Sequence, residues 1–143
     1  QKISQDLNFQ GQIIGDLENK LGIDNTDVLF RKKFFTLIQM EHLEFVELIN
    51  ENCDKDIDVI LFFYSNKKAD LEKSERMGNI LGSVYQRNKD NLVMYSLDLN
   101  LDSDIIESLK NKYSIGEESV IIINEDQKLT AVGNINEIEQ YLE

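Results

Sequence analysis

The sequence has no proline, one cysteine and one histidine, and its 15 lysines and arginines are outnumbered by 27 acidic residues. A single cysteine, Cys53, excludes an intrachain disulfide, a Cys-x-x-Cys redox pair and a four-thiolate metal site. A single histidine, His42, excludes a zinc pair four residues apart, and any Ser-His-Asp or Cys-His arrangement would have to be built on it. The net charge of −12 repels phosphate backbones and anionic headgroups, so neither nucleic acid nor a membrane surface is expected as a partner. No apolar run approaches the roughly 20 residues that span a bilayer, and no signal peptide is visible. The chain opens on Gln1 instead of a start methionine, so an upstream leader or membrane anchor on an otherwise soluble domain is one expectation. Phosphate-binding Gly-x-x-x-x-Gly-Lys, dinucleotide and Gly-x-Ser-x-Gly strings are missing as well. No cofactor and no metal are expected.

What is present suffices for one core. A chain of 143 residues with 41% hydrophobic content can bury a domain of ordinary size plus a small appendage. Ile3, Leu7, Ile14, Leu17 and Leu21 recur at spacings of three, four and seven, which predicts an amphipathic helix weakened by Gly11 and Gly15. Gly22 stands where a C-terminal glycine belongs, and Asp24-Asn25-Thr26 supplies capping side chains for a second helix reaching about Asn52. That segment carries more apolar residues than one stripe holds, from Val28 through Phe34, Phe35 and Phe45 to Ile49, and is expected to bury more than one face. Its outer partner is either the first helix, folded back as a hairpin, or another copy of the chain.

From Ile57 the pattern changes. Ile57 to Tyr64 is a continuous apolar run with the composition of a strand covered on both faces. A loop from Ser65 to Lys68 precedes a helical stripe through Leu71, Met77, Leu81 and Val84 to about Arg87. Leu92 to Leu97 is a second strand, Ser103 to Tyr113 a helix, Val120 to Ile123 a third strand. Asn124-Glu125-Asp126-Gln127 turns into a fourth strand from Lys128 to Val132, and Asn136 is placed to cap a last helix through Leu142. The class is α/β: a helical extension over 1–53, then a β-α-β-α-β-β-α domain over 54–143 with a mixed four-stranded sheet covered by helices.

This order, together with Ile60-Leu61-Phe62-Phe63-Tyr64-Ser65, Gly78 before Ile80-Leu81, Tyr95-Ser96-Leu97-Asp98, Val120-Ile121-Ile122-Ile123-Asn124 and Gly133, resembles the thioredoxin superfamily over about the last 90 residues. More narrowly, Phe63-Tyr64-Ser65-Asn66-Lys67 and Glu51-Asn52-Cys53 resemble archaeal and bacterial thioredoxin-like proteins that carry an N-terminal helical segment. The resemblance places the family's redox tetrad on Leu71-Glu72-Lys73-Ser74 and its cis-proline on Ser119, so both thiols and the proline are replaced. Serine cannot perform thiol–disulfide exchange, which requires a thiolate attacking sulfur. A cis bond before a non-proline residue costs about 2.5–4 kcal/mol, so a trans peptide is expected at Ser119. Cys53 precedes the first strand, whereas the redox loop follows it; eight extended residues separate the two by roughly 26 Å. A helix-end or core role is therefore expected for this thiol.

By the same resemblance the family's peptide groove falls on Tyr64, Asn66, Leu71, Ser74, Glu118 and Ser119, with Leu71 and Ser119 at the surface. Lys67 and Lys68 stand before a helix N-terminus and could contact an anion; solvated loop lysines are the plainer reading. Asp98, Asn100, Asp102 and Asp104 alternate like the start of a calcium loop, but Ser103 and Leu109 occupy the positions that need glycine and glutamate. Capping of the next helix by Asp102 or Ser103 is expected instead, and His42 reads as a partly exposed helical residue. The expected function is a non-catalytic thioredoxin-like domain that binds a protein or peptide. The alternatives are an atypical single-cysteine enzyme of the thiol–disulfide class and a structural module that oligomerises through its N-terminal helices.

Overall fold

The computed structural model describes residues 2–143, without the side chains of residues 2–6, 8 and 9. Ile3 of the first apolar stripe lies outside the described side chains. Helix α1 runs Lys2–Leu21 and ends where Gly22 adopts φ +95°, a conformation that glycine enters without a Cβ penalty. Helix α2, Thr26–Asn52, starts where the Asn25 side chain accepts hydrogen bonds from the N–H groups of Asp27 and Val28 at 3.0 and 3.2 Å. The two helices pack as a hairpin.

Strand β1, Asp58–Tyr64, pairs parallel with β2, Leu92–Asp98, through the crossover helix α3, Leu71–Asn88. A short 3-10 turn, Lys68–Asp70, leads into α3. After α4, Asp104–Tyr113, strand β3, Val120–Ile123, lies antiparallel to β1, and β4, Gln127–Leu129, lies antiparallel to β3. The sheet order is β2-β1-β3-β4. Because successive side chains of a strand point to opposite faces, the unbroken apolar runs of β1 and β3 feed two cores at once. Leu61, Phe63, Val120 and Ile122 pack with Leu43 and Val46 of α2 and Ile106 of α4. Ile60, Phe62, Ile121 and Ile123 pack with Met77, Leu81 and Val84 of α3 and with Ile138 of α5, Asn136–Glu139. The result is a four-stranded mixed sheet between two helical layers.

Three local expectations need correction. Strand β4 runs Gln127–Leu129 and stops short of Val132, its pairing with β3 ending at Ile121 opposite Leu129. Asn136 is the first residue of α5 and not its cap; the Asn134 side chain accepts from the Glu137 N–H at 3.2 Å while the Glu137 carboxylate accepts from the Gly133 N–H at 2.9 Å. This reciprocal pair has the logic of a capping box. The surplus apolar residues of α2 do not all find cover, since Phe30, Phe34, Leu37, Phe45 and Leu48 remain exposed.

Candidate functional site

The C-terminal ends of β1 and β2, the start of β3 and the first turn of α3 meet at one pole of the sheet. There the chain builds two buried polar clusters. The first is made of serines. Ser74 Oγ donates to the Ser65 carbonyl at 2.9 Å and lies 2.6 Å from Ser119 Oγ, which accepts from the Ser65 N–H at 2.9 Å. Ser65 and Ser119 are fully buried and Ser74 nearly so. Burying these groups is tolerated because each has a partner. The expected surface position of Ser119 is thus overturned: its hydroxyl points inward to close the loop after β1. The peptide preceding it is trans.

The second cluster is charged. Lys32 of α2 reaches the end of the sheet, where its Nζ donates to Asp98 Oδ2 at 2.7 Å and forms a second ion pair with Glu18 of α1. Both oxygens of Asp98 are engaged, for Asn66 Nδ2 donates to Oδ2 at 2.8 Å and the Asn100 N–H to Oδ1 at 2.8 Å. Asn100 in turn accepts from the Asn66 N–H at 2.6 Å. A cavity of about 110 Å³ remains, lined by Ile14, Glu18, Lys32, Tyr64, Ser96 and Asp98 among others. Desolvation pulls the Lys32 pKa down, but Tyr64, Asp98 and Glu18 outweigh it and hold the ammonium above its ordinary range. Burial, with Asp98 and Glu18 adding to it, pushes the Tyr64 phenol up and keeps it neutral, although Lys32 opposes them. A lysine held charged between two carboxylates is no general base. This network fastens α1 and α2 to the pole.

The six predicted groove residues therefore divide. Tyr64 and Asn66 join the charged network, Ser74 and Ser119 the serine knot, while Leu71, at 41% exposure, and Glu118 face solvent. They do not line a common open groove. Of the candidate anion contacts, Lys67 is already paired with Glu117 at 2.6 Å on the surface and Lys68 is exposed. That pairing lowers the Glu117 pKa. In the calcium-like loop, Asp98 and Asn100 make the bonds just described and Ser103 accepts from the N–H groups of Ile105 and Ile106, capping α4. Cys53 is exposed at the C-cap of α2, one turn after Asn50, whose side chain exchanges hydrogen bonds with the backbone of Ile57. It stands beside the start of β1, far from the serine knot.

His42 also departs from expectation. It is buried beside the sheet, with Nδ1 2.5 Å from the Tyr95 hydroxyl. Burial lowers its pKa below the ordinary 6.5. The unfolded chain therefore binds a proton that the folded chain resists, so this contribution is intact above about pH 6.5 and declines as pH falls toward the lowered folded value. Glu47 shifts the other way, raised by burial and by Glu125, so it favours the folded state only near and below the carboxylate range. Melting curves at about pH 7.5 and about pH 5.5 should show a loss of stability that the His42→Gln variant largely removes. An equal loss in both proteins would place its origin elsewhere.

Lys32 and Glu18 were missed by sequence reasoning, yet a signal existed. Val28, Lys32, Thr36, Gln39, Leu43 and Val46 follow one another at spacings of three and four, which puts the lysine on the buried face of α2.

No protein-family model matches the chain, and no curated protein matches it. A solved structure described as that of a malarial protein is similar at 15% identity and a TM-score of 0.47, covering 60% of this chain and 98% of its own. At that level of likeness it carries no argument about fold or activity.

Proposed function

We propose that residues 54–143 form a thioredoxin-like domain that has no redox catalysis and acts through contact with a protein or peptide partner. The strand order β2-β1-β3-β4, with β1 and β2 parallel and the other neighbours antiparallel, supports the fold part of this reading. One observation carries the functional part. Where the family keeps a resolving thiol against a cis-proline, this chain has Ser74 hydrogen-bonded to Ser119 in a closed, fully partnered knot. Hydroxyls so placed stabilise the loop and cannot exchange disulfides. Leu71, Glu118 and Lys68 then remain as the solvent-facing groups of the pole that a partner would touch.

Disulfide reduction of a protein substrate tests the proposal. The wild type and Cys53→Ser should both show no turnover above buffer. Installing thiols by Leu71→Cys with Ser74→Cys in the Cys53→Ser background should create a reversible disulfide with a leading thiol below the ordinary cysteine pKa, since a helix N-terminus stabilises a thiolate. Turnover that depends on Cys53 would replace the binding reading by a thiol enzyme. A leading thiol of ordinary pKa would remove support for a redox-type helix terminus at Leu71.

A further inference from the structure

We propose that the outer edge of β2 is a docking site for one extended, uncharged stretch of a partner polypeptide, which adds a further strand to the four-stranded sheet. The inference goes beyond the reading of the serine pole, because none of the residues assigned to that pole lines this site.

The strand register determines which backbone groups are free. The Asp58 N–H donates to the Asn91 carbonyl and the Leu99 N–H to the Tyr64 carbonyl, while Asp58 stands opposite Leu92 and Tyr64 opposite Asp98. The main-chain groups of Val93, Tyr95 and Leu97 therefore face β1, and those of Met94 and Ser96 face outward. Because β2 ends the sheet order, no strand of the chain meets them. A free edge is a template for another strand, and folded chains blunt it by shortness, lysine, proline or inward-pointing charge. The opposite edge is blunted in this way, for β4 has three residues with Lys128 at its middle. Strand β2 has seven residues and neither lysine nor proline among them.

A groove of about 350 Å³ lies against this strand, lined from α1, α2, α3 and β2 by Gln12, Gln39, Tyr85, Gln86, Met94 and Ser96 among others. Although 29% of the chain is charged, no described residue of the lining is. Three carboxamides and a hydroxyl suit an extended main chain, since each can pair with an N–H or a C=O and none demands a charge. Gln39 supplies a second, independent sign of a ligand. It is 4% exposed, and its Oε1 has no hydrogen-bond partner among the described residues. A buried amide oxygen left unpaired is costly. Its terminal torsion is broad, so the carboxamide can swing to meet a main-chain N–H in the groove. The walls of the groove choose the occupant. A second copy would bring its own α1 and α3 against them, and each copy carries a net charge of −12. A single strand seated about 4.8 Å from β2 meets neither obstacle. Its alternate side chains would point toward Phe35 and Gln39 on one face and toward Tyr85 and Gln86 on the other.

Amide NMR of the isotope-labelled full chain tests this, titrated with the capped peptide Lys-Val-Thr-Val-Thr-Val-Lys. Its β-prone, uncharged centre suits the groove, and its lysine ends suit an acidic chain. Saturable shifts at the Met94 and Ser96 amides are expected, with a Kd of about 0.1–1 mM. The same peptide N-methylated at every internal amide keeps both lysines and should lose the effect, because it has no main-chain donors left. Ser96→Pro removes an outward N–H that no ladder bond uses, so it should weaken binding about tenfold with little change in the thermal melt. Gln39→Leu should weaken it about fivefold and leave the melt unchanged or higher, since an unpaired buried oxygen is lost. No shift up to about 5 mM peptide would overturn the proposal, as would equal binding of the methylated peptide or indifference to both variants. Shifts at Leu71 and Glu118 in place of Met94 and Ser96 would overturn it while supporting peptide contact at the serine pole. Movement of the β2 amides with protein concentration alone would overturn the choice of occupant in favour of a second copy.

Discussion

Lys32→Ala should destabilise the protein by about 3–5 kcal/mol in urea unfolding, more than an average buried truncation of its size. The reason is what it leaves behind. Asp98 is 6% exposed and Glu18 lies largely covered, so deleting the ammonium strands two carboxylates in a site that water reaches poorly. Removing one partner of a buried ion pair costs more than replacing the whole cluster by uncharged groups, because the stranded charge keeps its desolvation penalty. The triple change Lys32→Met, Glu18→Gln, Asp98→Asn should therefore recover much of the loss seen in Lys32→Ala. Asp98 also receives hydrogen bonds from Asn66 and from the Asn100 N–H, and asparagine keeps one acceptor for them. A loss below about 1 kcal/mol for Lys32→Ala would mean that the cluster is as well solvated as a surface pair.

The same cluster shows what the sequence made legible and what it hid. Strands β1 and β3 were readable to within a residue because a strand covered on both faces must be apolar throughout, and α3 and α4 because their stripes repeat at helical spacing. Hydropathy assigns polar residues to water, however, so it placed His42 outside, and the resemblance placed Ser119 at the surface of a groove. Both are inside because a hydrogen-bonding partner from a distant segment awaits each: Ser65 and Ser74 for Ser119, Tyr95 for His42. Such partners lie tens of residues away, and no local pattern encodes them. The error on α2 ran in the opposite direction, since Phe34, Leu37, Phe45 and Leu48 suggested a second buried face where the chain alone provides no cover. Apolar periodicity reports which face seeks a partner; whether that partner belongs to the same chain is a question of assembly.

Ser119→Arg should be still more disruptive, costing more than about 4 kcal/mol or preventing folding, while Leu71→Glu at the same pole should stay within about 0.5 kcal/mol of wild type. The two positions share the end of the sheet but not its solvent. Ser119 has no exposed surface and its hydroxyl accepts from the Ser65 N–H, so arginine there would lose that bond, clash with Ser74 and have no carboxylate to meet among its described partners. Leu71 is 41% exposed on the first turn of α3, where an acid is favoured by the helix dipole. Ser119→Ala separates the contributions: it removes the hydroxyl without adding bulk, leaves the Ser65 N–H unpaired, and should fall between the two at about 1–3 kcal/mol. Chemical denaturation of the three variants would reveal the order Arg, Ala, then Leu71→Glu. If Ser119→Ala matched wild type, the knot would contribute nothing to holding the loop after β1. With the expected order, only Leu71→Glu is a clean probe of partner contact at this pole, because it alters the surface and spares the fold.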